Sequence, residues 1–220
     1  MKELLISYAK NGREAYESAL DRNKAEAIKY FDGDFMYLKG DLPKDCKPHS
    51  EVPYQFKPKL FKEAYDLGYR KILWLDSTIC VTRDLSPIFD KMSKTGVVAF
   101  HNLGHDLNKW ISGIAANNIG IDLTENPYQI MACVVGFDLD TEKGKRIFDK
   151  WLALSEDGES FQNNAVNHPG GVAHRHDQAC LSALLWQEKH KLLPYGTLIY
   201  EAHENNKEYG NEYFFVNRAI

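Results

Sequence analysis

The sequence predicts an α/β protein with a mixed, mostly parallel sheet flanked by helices. Three observations lead there. Unbroken apolar runs of strand length, such as Ile72-Leu73-Trp74-Leu75, end abruptly at polar residues. A run without alternation marks a strand covered on both faces. Between these runs lie segments with apolar residues at helical spacing, so helix and strand alternate along the chain. Finally, 220 residues with 44% hydrophobic and 26% charged side chains suffice for one continuous core. With no internal repeat, low-complexity tract or linker, the pattern predicts a single domain over residues 1–220.

The elements follow in order. Residues 4–8 form a short apolar run, expected as a buried first strand. Residues 13–28 place Ala15, Ala19, Leu20 and Ala27 at helical spacing. Residues 35–38 read as a second strand entered through Asp32-Gly33-Asp34, and a loop rich in Pro, Lys and Asp spans 40–53. Pro58 suits the first turn of a helix striped by Leu60, Phe61, Ala64 and Tyr65 and stopped by Gly68. The strand 72–75 comes next and ends at Asp76. Ser86-Pro87 is expected to cap a short helix, followed by a strand at 97–100 and a longer one at 130–137 (IMACVVGF). Thr141 and Asp177 each open a helix, the first with Ile147, Phe148, Trp151 and Leu152 inward, the second with Cys180, Leu181, Leu184 and Leu185. A last strand is expected at 198–200, and the aromatic tail (Tyr213, Phe214, Phe215) is expected to dock back on the body.

The formal net charge of -4 disfavours a general nucleic-acid binder, while leaving room for a small anionic ligand. Leu4, Leu5 and Ile6 are too few for a secretory leader, and no apolar stretch reaches the length of a membrane span. Cys46, Cys80, Cys133 and Cys180 are scattered without a CxxC pair and read as buried free thiols. A cytoplasmic location is the default expectation.

Asp76 follows the most buried strand in the pattern. A charge there must emerge into a cleft, meet a cation or cap a turn through Ser77 and Thr78, because an unpaired buried carboxylate costs several kcal/mol. In open α/β sheets, ligands bind beyond the carboxyl ends of the strands. The segment PYQFKPKLFKEAYDLGYRKILWLDSTICVTRDLSPIF resembles the central segment of GT-A-fold glycosyltransferases, with its lysine-bearing helix, its strand ending in an Asp-x-Asp motif and its following short helix. The resemblance implies a GT-A-like (Rossmann-like) sheet and a nucleotide-sugar donor. It also implies a divalent metal, Mn²⁺ or Mg²⁺, held by the motif's carboxylates so that it neutralises the leaving diphosphate. Here the motif is degenerate: Asp76-Ser77-Thr78 has a neutral hydroxyl in place of the second carboxylate. The metal is then held by Asp76 with another group, or the enzyme is metal-independent, or catalysis is lost.

The same resemblance implies a second point at Asp177-Gln178, where a late helix opens beside His174, Arg175 and His176. Asp177 is either the catalytic carboxylate beside the sugar, favoured there by the helix dipole, or simply the N-cap. Ser7, Tyr8, Arg13, Lys57 and Ser77 are the further candidates for the donor nucleotide. His101, Asn102, Gly136, His176 and Gln178 are candidates for the sugar or acceptor. His203 is the candidate second metal ligand beside Asp76. Together these imply transfer of a sugar to an acceptor (a glycan, lipid, protein or small molecule), with Asp76 and Asp177 carrying the catalysis. Two rivals stand beside this reading. One is a non-catalytic carbohydrate- or nucleotide-binding protein on the same fold. The other is a metal-dependent hydrolase built on His168, His174, His176 and Asp177.

Overall fold

The computed structural model describes residues 2–10, 12–194, 196–200 and 212–216, the side chains of 199 and 200 excepted. The chain runs β1 (Glu3–Lys10), α1 (Glu14–Ala27), β2 (Asp34–Gly40), α2 (Phe56–Asp66), β3 (Lys71–Leu75), β4 (Ile79–Val81) and α3 (Ser86–Thr95). It continues through β5 (Val97–Asp106), α4 (Gly113–Ile119), β6 (Tyr128–Asp138), α5 (Glu142–Glu156), α6 (His176–Gln187), β7 (Leu198–Tyr200) and β8 (Phe214–Val216). Every expected strand and helix is present, with β5 and β6 reaching further than their apolar runs. Three elements escape the sequence pattern: β4, β8 and the short α4, whose N-cap Ser112 accepts from Ala115 N. Ser86 does not cap α3. Asp84 Oδ1 instead accepts from the Ser86 amide and hydroxyl, and Leu85 is the N-cap.

Five strands form the main sheet in the order β2-β1-β3-β6-β5. β1 pairs in parallel with both β2 and β3, while β6 is antiparallel to β3 and β5. Four strands therefore point one way and β6 alone is reversed. β4, β8 and β7 make a small second sheet, so the aromatic tail does dock back, Phe215 pairing with Cys80.

Period-two alternation divides the buried strand residues between the two faces of the sheet. Leu4, Ile6, Ile72 and Trp74 pack with α2, α5 and α6 on one face. Leu5, Leu73 and Leu75 pack with α3 and β8 on the other. Phe61, Phe137, Phe148 and Trp151 interlock on the first face, with Phe61 and Phe137 edge to face at 5.3 Å. Each such ring, fully buried, contributes roughly 1.5–3 kcal/mol to the fold. Gly136 belongs to the packing of the second face, not to a ligand site. A side chain there would strike Met92, Val98 and Leu73 at under 3 Å, so the glycine lets α3 lie on the sheet and the expected sugar contact is corrected.

The reversed strand positions the site. Because β6 runs against β3, Ala132 and Cys133 lie beside the end of β3, and Asp76 N–H donates to Cys133 O at 2.8 Å. The carboxyl ends of β1 and β3 open on the same edge, where a cleft forms.

Candidate functional site

Asp76 leaves β3 at a turn closed by Ile79 N–H donating to Asp76 O at 2.9 Å. Its carboxylate nevertheless does not cap that turn. Oδ1 accepts from Trp74 Nε1 at 2.6 Å and lies 3.0 Å from Lys57 Nζ. Trp74 and Asp76 are two residues apart in extended chain, so their side chains leave on the same face.

Lys57, in the first turn of α2, is the centre of the arrangement. Its side chain is 4% exposed, and its ammonium lies between Asp76 Oδ1, Ala132 O (3.0 Å, a hydrogen bond) and Asp177 Oδ2 (3.3 Å). Burial opposes that charge, but the carboxylates of Asp177 and Asp76 overcome the cost and hold the ammonium well above the ordinary lysine range. Asp177, in the first turn of α6, is not the N-cap, which is Arg175. Burial pushes its carboxyl above the usual range; Lys57 pulls it down and Asp76 pushes it up again. The ammonium thus meets two carboxylates from different parts of the chain.

Two basins of about 420 Å³ each meet at this cluster, sharing His49, Tyr54, Lys57 and Asp76. The first is lined by Tyr8, Lys10, Arg13, Tyr16, Ser77 and Thr78. Tyr8 packs on Phe56 at 5.0 Å and donates to Gly40 O, giving that basin an aromatic wall. The second is lined by Asn163, His174, Arg175, His176, Asp177 and Gln178. Tyr54, with a left-handed φ of 60°, packs on His49 at 4.7 Å and stacks on His176 at 5.9 Å, forming the wall between the basins.

The histidines of the second basin fasten its loop. Ser112 N–H donates to His174 Nδ1, which fixes the tautomer so that Nε2–H donates to Ser160 O at 2.8 Å. Burial pushes His174 down to about 4 and keeps the ring neutral. His168 Nε2 pairs with Ile111 O and His176 Nδ1 with Phe161 O. Arg175 lies over the Trp110 ring at 4.3 Å. With both nitrogens of His174 engaged by backbone, the hydrolase arrangement loses a ligand at its centre.

Of the sequence candidates, the fold brings Tyr8, Arg13, Lys57, Asp76 and Ser77 to the first basin and His176, Asp177 and Gln178 to the second. Ser7 is fully buried inside β1, its hydroxyl without a partner among the described residues, and lines neither basin. His101 and Asn102 also line neither. β5 does not end at Phe100 but continues to Asp106, so His101 pairs with Ile130 and Asn102 donates to Gln129 within the sheet. His203 lies outside the described residues. Sequence reasoning missed His49, Tyr54, Lys10 and Trp74. For Trp74 a signal existed, since it shares its strand face with Asp76.

The donor set matches a resident divalent ion poorly. Such ions take several oxygen ligands, usually with carboxylates among them. Ser77 and Thr78 are neutral and buried, and Asp76 Oδ1 already faces an ammonium. Among the described residues, no three His, Cys, Asp or Glu side chains converge as metal ligands, and no helix is long and apolar enough to cross a membrane.

No known protein-family description and no curated protein matches this sequence. In three dimensions the chain is similar to solved glycosyltransferases. One, involved in the glycosylation of the major capsid of PBCV-1, has a TM-score of 0.62 at 13% identity, over 100% of this chain and 94% of that one. The bifunctional glycosyltransferase WbbM gives 0.60 at 11%, over 100% of this chain and 46% of that one. GlyE of Streptococcus pneumoniae TIGR4 gives 0.55 at 15%, over 100% and 55%. The chain therefore spans about half the length of these last two. The likeness establishes a GT-A-like fold, a mixed, mostly parallel sheet flanked by helices.

Proposed function

We propose that the chain is a glycosyltransferase, transferring a sugar from a nucleotide-diphosphate sugar to an acceptor that is a glycan, lipid, protein or small molecule. The observation that carries this reading is the junction of two basins at Lys57, Asp76 and Asp177, beyond the carboxyl ends of parallel strands. The first basin suits a nucleoside diphosphate: Tyr8 and Tyr16 offer faces for the base, and Lys10 and Arg13 offer cations for the phosphates. The second, with its amide, carboxylate and histidine groups, suits a sugar and its acceptor. The anomeric bond then lies over the junction.

Asp76, with its carboxylate about one-third exposed, faces the donor where the basins join. Asp177 stands beside the transferred sugar. Burial raises its carboxyl pKa, which suits a proton acceptor or a partner for a sugar hydroxyl. Gln178 and His176 border the same space, and rate enhancement rests on positioning the two reactants.

Thermal-shift screening against UDP, GDP, CMP, ADP and their sugars tests the reading, because a ligand of the folded state raises the melting temperature. A rise with one nucleotide that is lost in Asp76→Ala supports it; no rise with any of them overturns it. The neutral Ser77-Thr78 pair also suits a non-catalytic nucleotide- or carbohydrate-binding protein. Release of free sugar from the bound donor rejects that second reading.

A further inference from the structure

At Asp76 a carboxylate that would hold a dication faces an ammonium instead. Lys57 Nζ lies 3.0 Å from Asp76 Oδ1 and 3.3 Å from Asp177 Oδ2. It is tethered through the first turn of α2 and anchored by Ala132 O at 3.0 Å, so it is a fixture of the fold rather than a mobile ion. Trp74 Nε1 occupies the same Asp76 oxygen at 2.6 Å. A dication brought to that carboxylate meets a fixed positive charge a few ångströms away, in a setting where burial strengthens repulsion. What remains for it is the rest of one carboxylate and the hydroxyls of Ser77 and Thr78, both buried.

The charge a diphosphate needs stands elsewhere in the same basin. Lys10 and Arg13 are exposed and line it, on the turn from β1 into α1. Among the described residues, the Arg13 guanidinium makes no ion pair and lies over the face of Tyr16 at 6.0 Å, which leaves its fork available to grip phosphate oxygens. We propose that the site takes its nucleoside diphosphate without a resident divalent ion, Lys57 serving as the fixed counter-ion of Asp76 and Asp177 while Lys10 and Arg13 meet the phosphates. This rests on the nucleotide-sugar reading above.

The test is calorimetric titration of the full chain with UDP, GDP, CDP and ADP, first with EDTA and then with excess Mn²⁺. One nucleotide is expected to bind in EDTA, and Mn²⁺ is expected to leave its Kd within about threefold or to weaken it. Lys10→Ala combined with Arg13→Ala is expected to weaken the EDTA titration about tenfold or more, with the melting temperature of the free protein unchanged. Binding that appears only with Mn²⁺ overturns this proposal and leaves the nucleotide-sugar reading standing. A double variant that binds as tightly as the parent overturns the role given to the two cations. Failure of every nucleotide in both conditions overturns the nucleotide-sugar reading itself, and this proposal with it.

Discussion

In the basin beside β1 and α1, the cations Lys10 and Arg13 stand exposed at the rim. In the basin under α6, the central ionisable groups are buried, Asp177 against Lys57 and His174 between two backbone groups, while the exposed Arg175 is laid on the Trp110 ring. The first half keeps its charge solvated and available, so a ligand gains by meeting it. The second half has already committed its charge to the fold. Changes in the first should therefore alter nucleotide binding and spare stability, while changes to the buried groups of the second should first of all cost stability.

The strongest test of that contrast is Lys57→Met, which leaves two carboxylates facing each other near the base of the cleft. Breaking a buried ion pair from one side costs about 3–5 kcal/mol, so the urea midpoint should drop steeply. A loss under about 1 kcal/mol would mean that the cluster is more solvated than its burial implies.

Acid should act on the second half next. His174 is held at about 4 in the folded chain against an ordinary 6.5. As pH falls, the unfolded chain takes up this proton first, so the ring's contribution is complete above about 6.5 and is lost progressively towards pH 4. Its slope is at most about 1.4 kcal/mol per pH unit. His190, pushed to about 4 by burial, adds a loss of the same sign. Denaturation curves across that window should therefore be flatter for His174→Asn than for the parent, though not flat.

Arg13→Ala sharpens the other side. Nucleotide affinity should fall about tenfold, or about 1.4 kcal/mol, while folding stability stays within about 0.5 kcal/mol of the parent. The smallest effect belongs to Ser112→Ala, which removes the side-chain cap of α4 beside His174. It should cost about 1 kcal/mol in stability and leave nucleotide titrations unchanged.

The unbroken run Ile72-Leu73-Trp74-Leu75 made β3 legible and, with it, the exit of Asp76. Asp177 was legible as a helix-opening carboxylate. The partner joining them, Lys57, was legible only as a candidate for the donor nucleotide. Nothing in the local pattern of Lys57, Lys59 and Lys62 says which lysine turns inward, because that depends on Ala132 and Asp177 arriving from distant strands and helices. His101 and Asn102 misled for a related reason: polar residues after an apolar run suggested a strand end, while pairing with Ile130 carried β5 onward. His49 was hidden in the loop at 40–53, rich in Pro, Lys and Asp, and Tyr54 directly follows it. Their role as a wall comes from ring contacts that no spacing records.

The lysine at the junction also carries a consequence for how the chain reaches its folded state. Its hydrogen bond to Ala132 spans 75 residues, and Asp177 lies further along still. By contrast β1, α1 and β2 are consecutive and can pair through short-range contacts. Closing a long loop is entropically costly and tends to come after local pairing. The ammonium thus loses its water only when β6 and α6 have been laid down, so its charge cluster is a late event. Removing it should leave the refolding rate nearly untouched and appear as faster unfolding, making the cluster a latch on the finished fold.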